Sequence, residues 1–186
     1  MRLFVALEIP SEARTGLVAL SEELRPLLPK HRWTPAASIH LTLKFIGEIP
    51  ASSLDAVCSA LAEVKLPDTI AVRSATLGSF HGSEKAGLLF AKIEQSAELC
   101  ELAGQIDRQL QLVGVAGETR AFVPHLTLAR CKNGELPPNI AEILANFSGR
   151  ELANFHCQEF CLVESKLKPA GAEYTILQSF LFVTET

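Results

Sequence analysis

The chain lacks the features that would commit it to a membrane, a disulfide framework or a long polyanion. Its apolar opening, Leu3 to Leu7, is interrupted by Glu8 and Pro10, too short for a secretory signal and far short of the roughly 20 residues a spanning helix needs. No membrane association is expected. The five cysteines, Cys58, Cys100, Cys131, Cys157 and Cys161, are odd in number and include no C-x-x-C pair, which argues for a reducing, cytoplasmic setting. A net charge of −4 leaves no broad basic surface, so contact with nucleic acid should be local and short, at chain ends or with small ligands. No linker composition divides the 186 residues, and 48% hydrophobic against 20% charged residues supply a sizeable core, so one domain is expected.

Two stretches stand out against that background: His40-Leu41-Thr42-Leu43 and His125-Leu126-Thr127-Leu128, an identical tetrapeptide 85 residues apart. Each reads as a short strand. Side chains alternate faces along a strand, so the leucines share a core face while histidine and threonine share the other. With five histidines and ten threonines in the chain, fewer than one His-x-Thr is expected by chance. A single copy has a plain explanation, a half-buried histidine bonded to a backbone carbonyl beside a threonine favoured in strands. Repetition in two halves that otherwise differ favours chemistry.

Periodicity and punctuation predict the same series of elements twice. Arg2 to Ile9 reads as a strand stopped by Pro10, and Ser11 then caps a helix carrying Leu17, Leu20 and Leu24. After a loop with Trp33 and Pro35 come the strand His40–Phe45 and a helix carrying Leu54, Val57, Leu61 and Val64, closed by Pro67. A strand Ile70–Leu77, a polar turn Gly78–Gly87 and a strand Leu88–Ile93 follow. Ser96 opens the replay, capping a helix with Leu99, Leu102, Ile106, Leu110 and Val113. The second motif strand follows Pro124, a helix with Ile140, Ile143 and Leu144 follows Pro137 and Pro138, and strands are expected near Cys157–Glu164 and Tyr174–Val183. Shifting Phe4, Ser52 and Gly87 by about the motif spacing lands on Phe90, Pro137 and Glu173, which supports an internal duplication. The expected fold is α+β: duplicated β-α-β-α-β-β lobes with pseudo-twofold symmetry, antiparallel sheets around a central cleft, and helices outside.

If the two motif strands lie side by side, two imidazoles and two hydroxyls converge on one cleft. Opening a cyclic phosphodiester needs a base to deprotonate water, an acid for the leaving oxygen on the opposite side, and donors for the phosphoryl oxygens. Histidine suits both proton roles because its ordinary pKa of about 6.5 lies near operating pH. Threonine hydroxyls donate without adding charge. Neither motif strand carries a carboxylate or a second histidine at ligand spacing, so no metal site and no cofactor are expected. The candidate residues are His40 and His125 for proton transfer and Thr42 and Thr127 for phosphate binding.

The pattern resembles the two-histidine (2H) phosphoesterase superfamily, marked by paired H-x-[ST]-x motifs on duplicated lobes, and within it the RNA 2′,3′-cyclic phosphodiesterase family, formerly called 2′-5′ RNA ligase. The likeness runs through Arg2-Leu3-Phe4-Val5-Ala6, Trp33, His40 to Gly47, Leu77-Gly78-Ser79-Phe80, Phe122 to Arg130, Glu164-Ser165-Lys166-Leu167, Gly171 and Tyr174. It implies one 2H phosphoesterase domain over 1–186 made of two interlocked lobes, acting on RNA termini or small cyclic nucleotides with no obligate protein partner. It also implies hydrolysis of RNA 2′,3′-cyclic ends to 2′-phosphomonoesters, with His40 the proton donor and His125 the acceptor. The alternatives are 2′-5′ ligation of RNA and non-catalytic binding of RNA ends or nucleotides. One departure is visible: after the middle loop the family carries a basic residue and an aromatic-ended strand, and here the run is Lys85-Ala86-Gly87-Leu88-Leu89-Phe90.

Further candidates are weaker. Lys44 follows His40 by four and keeps its face, a candidate substrate contact or an exposed strand-end lysine. Arg130 is five after His125 and has the wrong parity for the cleft unless the strand bulges; the family likeness keeps it as a substrate contact. Trp33 would stack on a nucleobase or plug the seam beneath the first motif strand. Lys166 and Lys168, near a Pro/Gly turn, would grip the next phosphate or be solvated. His31, His81 and His156 lack a threonine partner, and Cys157 and Cys161 read as buried apolar groups.

Overall fold

The computed structural model describes residues 1–65, 69–74, 76–80, 87–131, 136–169 and 171–182; Pro67, His81, Lys85, Ala86 and Val183, named above, lie outside these. In chain order the strands and helices are β1 (Arg2–Leu7), α1 (Ser11–Leu24), β2 (His31–Trp33), β3 (Leu41–Glu48), α2 (Leu54–Ala62), β4 (Ile70–Ser74), β5 (Thr76–Phe80) and β6 (Leu88–Lys92). Then come α3 (Ala97–Leu112), β7 (His125–Cys131), α4 (Ile140–Ala145), β8 (Ala153–Cys157), β9 (Glu159–Lys168) and β10 (Gly171–Leu181). The fold is α+β, and every strand pairing among the described residues is antiparallel.

The apolar spacing seen in the sequence gives the helices their inner faces: Leu17, Leu20 and Leu24 of α1, and Leu99, Leu102, Ile106 and Leu110 of α3, are all buried. The Ser96 hydroxyl accepts the Leu99 amide at 3.1 Å as expected. At α1 the cap is Pro10, with Ser11 the first helical residue. Three short strands departed from expectation. His31–Trp33 pairs with β7 instead of looping, Gly78–Phe80 continues β5 instead of turning, and Ala153–Cys157 forms β8 before β9 begins. Each is held by its partner strand, a distant one for His31–Trp33 and Ala153–Cys157 and the following β6 for Gly78–Phe80, which three to five residues of local pattern do not announce.

The main sheet has the order β10-β9-β1-β3-β7-β6-β5, with β2 added beside β7; β4 and β8 form a separate pair. Its middle is the contact of the two motif strands, and the residue pair joining them is Leu41 with Leu126, the matching leucines of the two tetrapeptides. Outward from that line, β1 and β6 flank β3 and β7, and β9 and β5 flank those in turn. The arrangement has the pseudo-twofold character of a duplication. That symmetry makes β6 the counterpart of β1 and so the opening strand of the second half, where periodicity alone places it at the end of the first; strands are then exchanged, β5 from the first half pairing with β6 and β9 from the second half pairing with β1.

One sheet face packs against the helices through Leu3, Val5, Leu7, Leu41, Leu43, Leu126 and Leu128. On the other face Phe4 and Ala6 cluster with Cys161, Val163 and Tyr174. Both motif strands carry the same irregularity. Against β1, Val5 pairs with Lys44 and Ala6 with Thr42, leaving Leu43 over; against β6, Leu89 pairs with Ala129 and Phe90 with Thr127, leaving Leu128 over. These are β-bulges at matching positions. Each reverses the inside–outside alternation beyond it.

Candidate active site

Backbone geometry at the head of each motif strand aims the imidazole. His40 Nδ1–H donates to the Ser38 carbonyl at 2.9 Å, and His125 Nδ1–H donates to the Val123 carbonyl at 2.8 Å. A carbonyl only accepts, so Nδ1 holds a proton and Nε2 is left to act. Both rings, with Thr42 and Thr127, line one cleft of about 590 Å³. The structure therefore brings together the four residues read from the paired tetrapeptides.

Each ring is also set between aromatic side chains. Phe4 stacks on His40 with centroids 4.7 Å apart, and Tyr174 meets the same ring edge-on at 5.1 Å. Phe90 lies 5.1 Å from His125, and Phe80 meets it edge-on at 5.6 Å. These four aromatics were not recognised as site residues from sequence. The available signal was the Phe4-to-Phe90 repeat; Tyr174 and Phe80 arrive by pairing of distant strands.

The bulges decide which further residues reach the cleft. Lys44, expected on the cleft face, lies on the helix side at 5% exposure, where its ammonium meets Asp107 at 2.6 Å and the Ala116 carbonyl at 2.8 Å. Its expected role as a substrate contact is corrected on that geometry: the extra residue at Leu43 turns it over. Phe45 takes the cleft position instead and is 62% exposed there. The matching bulge at Leu128 buries Ala129 and brings Arg130 to the cleft wall. Trp33 lies outside the histidine cleft. Alternation along β2 puts it with His31 toward α1, where the Arg25 guanidinium sits 5.6 Å from its ring centroid.

Among the described residues, the cleft lining holds Arg2, Arg130 and the two histidines and no carboxylate, although the chain carries a net charge of −4. This is an anion site by charge. Burial pushes the His40 pKa down to about 4, against the Ser38 carbonyl bond that raises it and helped by the charges of Arg130, His125 and Arg14. His40 is thus neutral at neutral pH in the free protein. Among the described residues, no group of three or more His, Cys, Asp or Glu converges, and no helix is long and apolar enough to cross a membrane.

Comparison with known proteins agrees in sequence and in shape. The family model described as LigT-like phosphoesterase matches residues 7–90 and 92–174, one stretch for each motif. The RNA 2′,3′-cyclic phosphodiesterase of Thermus thermophilus is 31% identical over 97% of this chain and 89% of that protein. The protein of the same name from Archaeoglobus fulgidus is 27% identical over 97% of this chain and 99% of its own length. Among solved structures, TT0787 of Thermus thermophilus superposes with a TM-score of 0.82 at 30% identity, covering 100% of both chains. Escherichia coli LigT complexed with 3′-AMP shares the fold with a TM-score of 0.79 at 24% identity, covering 98% of both.

Proposed function

The chain belongs to the LigT-like phosphoesterase family, and on that premise we propose that it hydrolyses RNA 2′,3′-cyclic phosphodiester ends to 2′-phosphomonoesters by paired-histidine acid–base catalysis. One observation carries the reading: two imidazoles, each tied through Nδ1 to the carbonyl two residues back, face a single cleft beside two threonines and Arg130. The names of the sequence relatives point to the same reaction. Reading residues 1–186 as a single domain is supported by the exchanged strands and by a site that takes one histidine from each half.

The phosphorus of the cyclic ester lies between the two rings, its non-bridging oxygens accepting from the Thr42 and Thr127 hydroxyls and its charge facing Arg130. Neutral His125 takes a proton from water at Nε2 as the water oxygen bonds to phosphorus. The bond from phosphorus to the 3′-oxygen breaks, and His40 Nε2–H supplies that oxygen's proton. The products are a 2′-phosphomonoester and a free 3′-hydroxyl. His40 must be charged at that moment, and the free site keeps it neutral. Substrate binding raises its pKa so that it takes up a proton from solvent: the phosphodiester anion, which brings no proton of its own, offsets the charge of Arg130 that helps depress it. Histidines and threonines supply every group this reaction needs, so the chemistry requires no metal.

An oligonucleotide ending in a 2′,3′-cyclic phosphate, incubated with the protein and a chelator, tests the reading. A 2′-phosphate end is expected. A joined, longer strand would make the protein a ligase, and unchanged but retained RNA would make it a binder of ends.

A further inference from the structure

Both ties that aim the imidazoles end on carbonyls outside the regular strands. Ser38 closes a short 3₁₀ turn, Ala36–Ser38, and Val123 lies in the segment between α3 and β7. The first turn has its own backbone bonds, from the Ser38 amide to the Pro35 carbonyl at 2.8 Å and from the Ile39 amide to the Ala36 carbonyl at 3.2 Å. Beside Val123, the Ile93 amide donates to the Pro124 carbonyl at 3.0 Å. A loop carbonyl is a soft anchor unless something fixes the loop. In each half one side chain does so, and it arrives from the same place in the fold. Arg14, in the first turn of α1, donates from Nη1 to the Ala36 carbonyl at 2.6 Å and from Nη2 to the Ile9 carbonyl at 3.0 Å, with Glu8 Oε2 at 3.4 Å from Nη2. Gln95, one residue ahead of the Ser96 cap of α3, donates from Nε2 to the Phe122 carbonyl at 2.6 Å. Both stand at the head of the helix that follows a strand flanking the motif strands, β1 for Arg14 and β6 for Gln95. Those are also the strands that bring Phe4 to His40 and Phe90 to His125. Each clamp therefore ties the carbonyl that holds its imidazole to the strand carrying the aromatic neighbour of the same ring.

We propose that Arg14 and Gln95 are the positioning residues of the two histidines, Arg14 acting on His40 through the Ala36–Ser38 turn and Gln95 acting on His125 through Phe122 and Val123. Neither lines the cleft. What they set is the tautomer and the direction of each ring: with Nδ1–H held by a fixed carbonyl, Nε2 faces the reacting atoms, and without it a neutral imidazole is free to carry its proton on either nitrogen. The two clamps differ in charge. After burial, the chief cause, and together with Arg130 and His125, the Arg14 guanidinium helps hold the His40 pKa down, while the Gln95 carboxamide brings His125 no charge. A cation behind the acid favours release of its proton, so unequal clamps suit unequal roles.

The kinetic consequence rests on the phosphodiesterase reading, and the spectroscopic one does not. In long-range proton–nitrogen correlation spectra at about pH 8, where an ordinary histidine is neutral, wild-type protein is expected to hold both rings in the Nδ1–H tautomer. Arg14→Met should turn His40 into a mixture of tautomers and leave His125 as it was. Arg14→Lys, which keeps one donor group for the Ala36 carbonyl, should recover much of the wild-type signal. Gln95→Glu puts an acceptor where the donor stood, on an exposed side chain, and should do to His125 what Arg14→Met does to His40. On adenosine 2′,3′-cyclic monophosphate, Arg14→Met and Gln95→Glu should each lower kcat by about 10- to 100-fold and leave KM within about threefold. Unaltered tautomers in both variants, changes at both rings in either variant, or losses in KM in place of kcat would each overturn the proposal; should Arg14→Met not fold, Gln95→Glu decides. Wild-type protein that turns over no cyclic phosphate yet gives the expected spectra would overturn the phosphodiesterase reading and leave the positioning roles standing.

Discussion

The two sides of the cleft share a backbone and differ in what surrounds it. Each has the same tetrapeptide, the same bond from Nδ1 to the carbonyl two residues back, a bulge three residues after the histidine, and two aromatic neighbours on the ring. At the position each bulge returns to the cleft, the His40 side has Phe45 and the His125 side has Arg130. Phe4 stacks on His40 at an interplanar angle of 28°, whereas Phe90 is tilted by 58° to His125. A duplicated scaffold makes two equivalent imidazoles, the proton carriers of the proposed reaction. Acid–base chemistry needs them inequivalent, and the difference comes from neighbours, since the motif residues are the same.

Removing either carrier is the severest way to break that comparison. His40→Ala and His125→Ala should each lower kcat/KM on a cyclic-phosphate end by at least about 10²- to 10⁴-fold, with circular dichroism unchanged; wild-type rates in both variants would end the catalytic assignment.

Acid stability sharpens it next. His40 has a folded-state pKa of about 4 against an ordinary 6.5, so between those values the unfolded chain binds the proton and the folded protein does not. Stability is therefore full above about pH 6.5 and falls as pH drops through 4, by on the order of 3 kcal/mol from this group. Denaturant titrations of wild type and His40→Asn at pH 7 and pH 4 should show a smaller acid loss in the variant; identical losses would refute the assigned depression. The same depression predicts that inorganic phosphate binding at pH 5 to 6 is accompanied by proton uptake, measurable by calorimetry in buffers of different ionisation enthalpy, and that His40→Asn loses it.

Two smaller effects test what the bulges deliver. Lys44→Met should cost about 2 kcal/mol by unpairing Asp107, which keeps bonds from Gln111 and the Glu118 amide, while kcat/KM on adenosine 2′,3′-cyclic monophosphate stays within about twofold; a large kinetic loss without a stability loss would put Lys44 back in the cleft. Arg130→Gln should raise the His40 pKa slightly, followed by imidazole proton resonances, because burial sets most of the depression and Arg130 a smaller part.

Helices and motif strands were legible because their information is local: Leu99, Leu102, Ile106 and Leu110 recur at helical spacing, and His40 and Thr42 at strand spacing. The repeated tetrapeptide also leads to the expectation of two motif strands facing one groove, and the strands meet at Leu41 and Leu126. What could not be read was register. Strand parity placed Lys44 in the cleft and Arg130 out of it, and one extra residue on each strand reversed both. A bulge is settled by how two strands pair, so nothing in Leu43 or Leu128 alone announces it. Tyr174 and Phe80 were equally hidden, because their neighbours are chosen by β9–β10 and β5–β6 pairing.

The exchange of β5 and β9 between the halves also constrains how the protein comes into being. As the chain leaves the ribosome, β1 emerges long before one of its two partners, β9, which begins at Glu159. Until then an apolar edge waits unpaired, exposed to any other nascent strand. Closure over so long a span favours slow folding with exposed intermediates, so assembly of this enzyme in the cell should depend on holding that edge apart until β9 has been made.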